Sequence, residues 1–125
     1  MSREKLAPFA GEKYLNFESY RQNGAAIRTP LWFAEGDGLL YVYTLTKTAK
    51  VKRVRRNPRV RVAPCDFRGG LKGEWVDGTV TILDAAGAAR GHQLLDAKYG
   101  LMKRIGNLFS RLRGRERTVM SIKLD

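Results

Sequence analysis

Three short runs rich in aromatic and β-branched residues, YLNFESY, AAIRTPLWF and LLYVYTL, follow one another between Lys13 and Leu45, and glycine-bearing turns separate them. Such runs fit a pleated, half-buried surface, so the sequence predicts three strands in an antiparallel meander. Asn23-Gly24 in the first connection tolerates positive φ at both central positions of a type I′ hairpin. Glu35-Gly36-Asp37-Gly38 supplies the second turn. Pro30 cannot donate a ladder hydrogen bond, so the second strand must lie at an edge or carry a bulge there. A break of that kind often lies beside a ligand.

The rest of the chain continues the pattern. A helix is predicted from Thr48 to Arg56, with Thr48 at its N-cap, Pro58 as its stop, and Val51 and Val54 facing inward. Val60, Val62 and Ala63 mark a fourth strand, GEWVDGTVTIL a fifth and ERTVMSIKL a sixth. A helix is expected over Ala88–Tyr99 with Gly100 as C-cap, and the spacing of Leu101, Ile105, Leu108 and Leu112 predicts another. At 125 residues, with no repeat or linker, the chain reads as one domain, residues 1–125. Mostly β with a few helices, it makes a barrel-like α+β fold of about six antiparallel strands.

Lys and Arg number 24 against 12 Asp and Glu, a formal net charge of +12. This favours anionic partners without naming one. Seven cations crowd the stretch KTAKVKRVRRNPRV, which could be a solvated helix face, a nucleic-acid handle or a socket for a small anion. A helix starting near Thr48 offers unpaired N–H groups and its positive dipole end, with Thr44, Thr48 and Lys50 converging there, so a phosphate fits. Few aromatics interleave with the cations, which disfavours nucleic acid. The amphipathic, basic segment Leu101–Arg113 suits contact with a sheet or with a membrane surface.

Other features exclude chemistry rather than supply it. Cys65 has no partner for a disulfide, and His92 has no ligand-type neighbour, so no metal site is expected. Asp66–Gly73 is glycine-rich but lacks the ending of a P-loop, and reads as a mobile loop that could still line a cofactor. No nucleophile and base pair emerges, and no catalytic residue is assigned. The N-terminus lacks the apolar stretch of a signal peptide, and no apolar run reaches the roughly 20 residues needed to span a bilayer. The expectation is a cytoplasmic protein without a transmembrane segment.

The order RQNGAAIRTPLWF, LLYVYTLTKTAKVKRVRRNPRVRVAPCD, EWVDGTVTIL resembles the pyridoxamine 5′-phosphate oxidase-like split β-barrel flavoproteins, most closely their deazaflavin branch, which uses coenzyme F420. The resemblance runs from about Lys13 to Gly100. It implies a homodimer with the cofactor ring in a groove at the interface. By the same resemblance the phosphate is held by Arg28 and Thr29 on the second strand, Tyr43 and Thr44 on the third, and Thr48 and Lys50 opening the helix, with Arg53 an addition. Pro30, Leu31 and Trp32 would run along the ring. Flavin oxidases of the superfamily carry Ser-Arg-Lys where this chain has Thr48-Ala49-Lys50, which weakens the case for flavin mononucleotide (FMN). The implied function is a coenzyme F420-dependent oxidoreductase passing hydride to a small organic acceptor. The alternatives are an FMN-binding or other flavin-binding oxidase, reductase or carrier on the same fold, or a non-enzymatic basic module that binds nucleic acid or a membrane surface.

Overall fold

The computed structural model describes residues 2–45, 48–100 and 117–125, so Lys47 and the predicted helix from Leu101 lie outside the described residues. Six antiparallel strands form the barrel: β1 (Tyr14–Tyr20), β2 (Ala26–Gly36), β3 (Leu39–Leu45), β4 (Arg59–Cys65), β5 (Val76–Ile82) and β6 (Arg117–Leu124). They close in the order β1-β2-β3-β6-β5-β4. Alternation sets what points inward. Leu15 and Phe17 of β1, Leu40 and Val42 of β3, Val60 and Val62 of β4, and Met120, Ile122 and Leu124 of β6 fill the interior. Leu6 and Phe9, from a short helix α1 (Ser2–Leu6) and a 3-10 turn (Ala7–Phe9), join that core. Phe9 meets the Phe33 ring edge-on at 5.8 Å. The sequence reading had no place for this plug, because so short a segment shows no period.

Helix α2 (Ala49–Arg56) follows β3, with Thr48 at its N-cap position and Pro58 just past its end. Val51 and Val54 are buried as expected, and Arg53 is buried with them. Helix α3 (Ala85–Tyr99) begins three residues earlier than predicted. Its cap is Asp84, whose carboxylate accepts the Gly87 N–H at 2.9 Å. α3 packs on the outer face of β2, β3 and β6. The packing is tight at Gly91, where a Cβ would lie 2.5 Å from a methyl of Val119.

The two tight connections exchange the expected roles. At Asn23-Gly24 only Gly24 has positive φ (+88°), and the Gly24 N–H bonds to the Arg21 C=O at 2.8 Å. This is a three-residue hairpin loop with a left-handed glycine, which corrects the type I′ expectation. The arrangement with two positive φ values occurs instead at Asp37-Gly38 (+57° and +77°). Asp66–Gly73 is not an open loop but a hydrogen-bonded turn. Asp66 Oδ1 accepts the Arg68 and Gly70 N–H groups, both at 2.8 Å, and Cys65 bridges to Leu71.

Candidate functional site: the mouth between β2 and β3

β2 pairs with β1 from Ala26 to Trp32 but with β3 only from Phe33 to Gly36. Below Phe33 the two strands part. The Arg21 N–H to Ala25 C=O bond (2.9 Å) fixes the phase of the β1–β2 ladder, which makes Asn16 and Pro30 a non-hydrogen-bonded pair. The ring nitrogen of Pro30 therefore faces away from β1, onto an edge that no described strand covers. The edge expectation for Pro30 is met. Main-chain groups of Arg28 and Trp32 share that open edge.

Alternation divides the predicted site residues between the two faces. Leu31 packs against the core, so Thr29 on the same face looks inward, while Arg28, Pro30 and Trp32 look outward. On β3, Thr44 shares the inward face of Leu40 and Val42 and is 8% exposed. Tyr43 lies on the other face, its ring 6.2 Å from His92 of α3 and 4.6 Å from the Arg117 guanidinium. Trp32 stacks on Tyr99 of α3 at 4.7 Å with the rings 9° from parallel. Thr29, Leu31 and Thr44 thus share the inward face. Arg28, Trp32 and Tyr43 belong to the exterior.

α2 runs from the end of β3 to the end of β1. Its inner anchor is Arg53, whose Nε donates to Ser19 Oγ at 2.7 Å. Thr48 holds the cap position, yet its hydroxyl makes no capping bond, and Thr48 Oγ1 is buried without a partner among the described residues. Lys50, half-buried one turn before Arg53, has its pKa lowered by burial and then by the Arg53 charge. Arg53 is lowered by burial, then by Arg21 and Arg56. The cause is visible in the sequence, since no Asp or Glu occurs between Asp37 and Asp66. Among the described residues these cations have no ion-pair partner, and they sit beside the N-terminal N–H groups of a helix and an unsatisfied hydroxyl. Such a place suits an oxyanion.

A second group forms on the outer face. Glu18 is 0% exposed although it points away from the core. Its Oε1 accepts the Tyr20 hydroxyl (2.7 Å) and Arg61 Nε (2.7 Å), and its Oε2 accepts Arg28 Nε (2.7 Å) and Arg61 Nη2 (3.1 Å). Burial works against its charge, but the bonds from Arg61, Tyr20 and Arg28 prevail and lower its pKa to about 2. Both guanidiniums lie over the Trp75 ring, at 5.0 and 5.1 Å from its centroid. Sequence reasoning placed Arg28 near a phosphate and overlooked Glu18, Arg61, Trp75 and Tyr99. The lone carboxylate within the apolar run YLNFESY was the available signal. Next along this face, Asn16 Nδ2 donates to the Gly69 C=O at 3.0 Å, while its Oδ1 is buried without a partner among the described residues.

Nothing in the described residues offers a metal cluster. Burial, then Asp66 and Glu12, raise the Cys65 thiol to about 11, so it is not a nucleophile near neutrality.

No family model matches the sequence, and no curated protein matches it. Solved structures do. The heme storage protein HutZ of Vibrio cholerae superposes with a TM-score of 0.73 at 12% identity, over 98% of this chain and 89% of that one. A Listeria innocua protein assigned to the pyridoxamine 5′-phosphate oxidases gives 0.68 at 16% identity, over 99% and 93%. An FAD-binding protein of Mesorhizobium loti gives 0.66 at 18%, over 100% and 88%. The chain is a split β-barrel. At such identities the likeness establishes the fold alone. No helix among the described residues is long and apolar enough to cross a membrane.

Proposed function

We propose that the mouth of this split barrel holds the phosphate of a flavin-type cofactor, and that the chain is an oxidoreductase using coenzyme F420. One observation carries the reading. Among the described residues the buried hydroxyl of Thr48 has no partner, and beside it Lys50 and Arg53 have no ion-pair partner at the N-terminus of α2. Thr44 and Thr29 face the same mouth, and Pro30 and Leu31 present the open edge of β2 along which a ring can lie. A flavin-type cofactor is also consistent with the fold, since one similar structure is an FAD-binding protein.

The deazaflavin is preferred to FMN for two reasons. Ala49 stands where the resemblance to flavin oxidases leads one to expect arginine. The cationic tract also runs on past the phosphate position, with Lys52 and Arg55 exposed, as the additional carboxylates of the deazaflavin's tail would require. When bound, that cofactor supplies hydride. The chain's own residues then bind, orient and exclude water, and no side-chain acid or base is required of them.

A homodimer completes the proposal. Ile27, Pro30, Leu31 and Trp32 remain partly exposed, and Phe67 (64%) and Leu71 (52%) are the exposed large hydrophobics of the described residues. A second copy would cover such a surface. Titrating the purified protein with coenzyme F420 and with FMN, followed by fluorescence polarisation, tests the cofactor. Binding of FMN without the deazaflavin would transfer the reading to a flavin oxidase, reductase or carrier. Binding of neither, with tight salt-sensitive uptake of oligonucleotide or anionic vesicles, would favour the non-enzymatic module.

A further inference from the structure

We propose that Arg28, Arg61 and Trp75 form a separate oxyanion-binding platform on the outer face of β1, β2 and β4, and that it receives the carboxylate or phosphate group of the small molecule on which the protein acts. The existence of the platform stands on its own geometry, and its role as a substrate site rests on the oxidoreductase reading.

A buried carboxylate needs one well-placed arginine to be tied down, and Arg61 already meets Glu18 through both Nε and Nη2. Arg28 is additional. It touches Glu18 through Nε alone, so Nη1 and Nη2 have no partner among the described residues, and its side chain is 54% exposed. Arg61, besides its two bonds to Glu18, lies beside the Tyr20 hydroxyl, and its side chain is still 37% exposed. One carboxylate between two guanidiniums leaves a net charge of +1. Asp77, opposite Arg61 in the β4–β5 register, forms no ion pair with it.

Both guanidiniums are held before any ligand arrives. Glu18 fixes their inner edges, and the Trp75 ring lies about 5 Å from each. Arginine forks constrained in this way lose little freedom when they meet a planar or tetrahedral oxyanion, and their N–H pairs suit it bidentately. The phosphate position proposed at α2 draws on inward-facing groups, Thr44 and Arg53 among them. The Arg28 platform faces outward from the same barrel, so the two sites use different side chains.

The test follows the indole N–H resonance of Trp75, assigned with Trp75→Phe, while the full chain is titrated with benzoate and with phenyl phosphate. The expected result is a saturable shift with a Kd of about 1 mM or tighter for at least one probe, the better of the two naming carboxylate or phosphate as the preferred group. Arg28→Ala should weaken it about tenfold or more, and Arg28→Lys should recover part of the loss. Lys50→Ala should leave it unchanged while weakening cofactor binding. Arg61 still satisfies Glu18 in Arg28→Ala, so that variant keeps the fold. Absence of a saturable shift, indifference to Arg28→Ala, or equal losses in Arg28→Ala and Lys50→Ala would each overturn the platform. A chain that binds the probes at Trp75 but neither flavin nor deazaflavin would keep the platform and lose the oxidoreductase reading.

Discussion

The hydroxyl of Tyr99 stands in for a main-chain rung of the barrel at Phe33. It accepts the Phe33 N–H at 3.0 Å and donates toward the carbonyls of Phe33 (2.6 Å) and Lys13 (2.5 Å), where β1 has not yet begun and the next ladder bond would fall. One side chain from the end of α3 therefore closes the β1–β2 ladder just where β2 turns from its open edge to its pairing with β3. The same ring supports Trp32.

Tyr99→Phe keeps the stacked ring and removes the rung. The Phe33 N–H is then left without an acceptor in a partly buried position, which should cost about 1 to 3 kcal/mol in denaturant unfolding. Burial raises the Tyr99 pKa, so the hydroxyl stays protonated throughout the ordinary range and this loss should not vary with pH. A variant as stable as the parent would show that water replaces the rung.

Glu18 makes a prediction of the opposite kind. Its folded pKa of about 2 lies below the ordinary 4.5, so its ionised form stabilises the fold fully above about pH 4.5. That contribution is lost as the pH falls from 4.5 toward 2. Glu18→Gln should therefore cost roughly 3 kcal/mol at pH 7, and the gap between variant and parent should shrink steadily below pH 4.5. Unfolding curves at a series of pH values check this. A gap that stays constant down to the acid limit would mean that packing, not charge, holds this cluster.

These two residues mark what was legible in the sequence. The succession of strands along the chain, the edge at Pro30 and the span of α2 were readable because each depends on neighbours in the chain: a period of two, a proline without an N–H, a threonine before and a proline after a helix. Period two alone could also have separated Thr44 from Tyr43. The Asn23-Gly24 turn type was not readable, because the register of the flanking strands decides how many residues the loop keeps. Glu18 meets Arg61 across 43 residues of sequence, and Tyr99 meets Phe33 across 66. Contacts of that range exist only once the barrel has closed, so the partners cannot be read locally, even where a lone carboxylate in an apolar run marks Glu18 itself.

Thr48→Val tests the mouth without touching its charge. The hydroxyl forms no capping bond, so its removal takes nothing from α2, and the substitution relieves a buried, unsatisfied group. The apo protein should be unchanged or slightly more stable by thermal melting, while cofactor affinity falls by about 1 kcal/mol, roughly fivefold. Loss of stability together with unchanged affinity would show that the hydroxyl serves the fold instead.

Lys50→Ala and Arg55→Ala remove the same formal charge from the same helix but from different surroundings. Lys50 is half-buried, and burial together with Arg53 lowers its pKa, so its charge is costly in the empty protein. Arg55 is exposed. A bound phosphate would repay Lys50 with a short, poorly screened contact, so Lys50→Ala should weaken cofactor binding by about 1.5 to 3 kcal/mol. It should leave the apo protein as stable as before or more so, the usual exchange at a binding site. Arg55→Ala should cost under about 1 kcal/mol of affinity, and that small loss should fade as salt is raised because an exposed charge is screened. Cofactor titrations of the two variants at low and high salt decide the matter. Equal losses that vanish together in salt would make the whole helix a diffuse cationic surface and remove the directed phosphate contact from the mouth of the barrel.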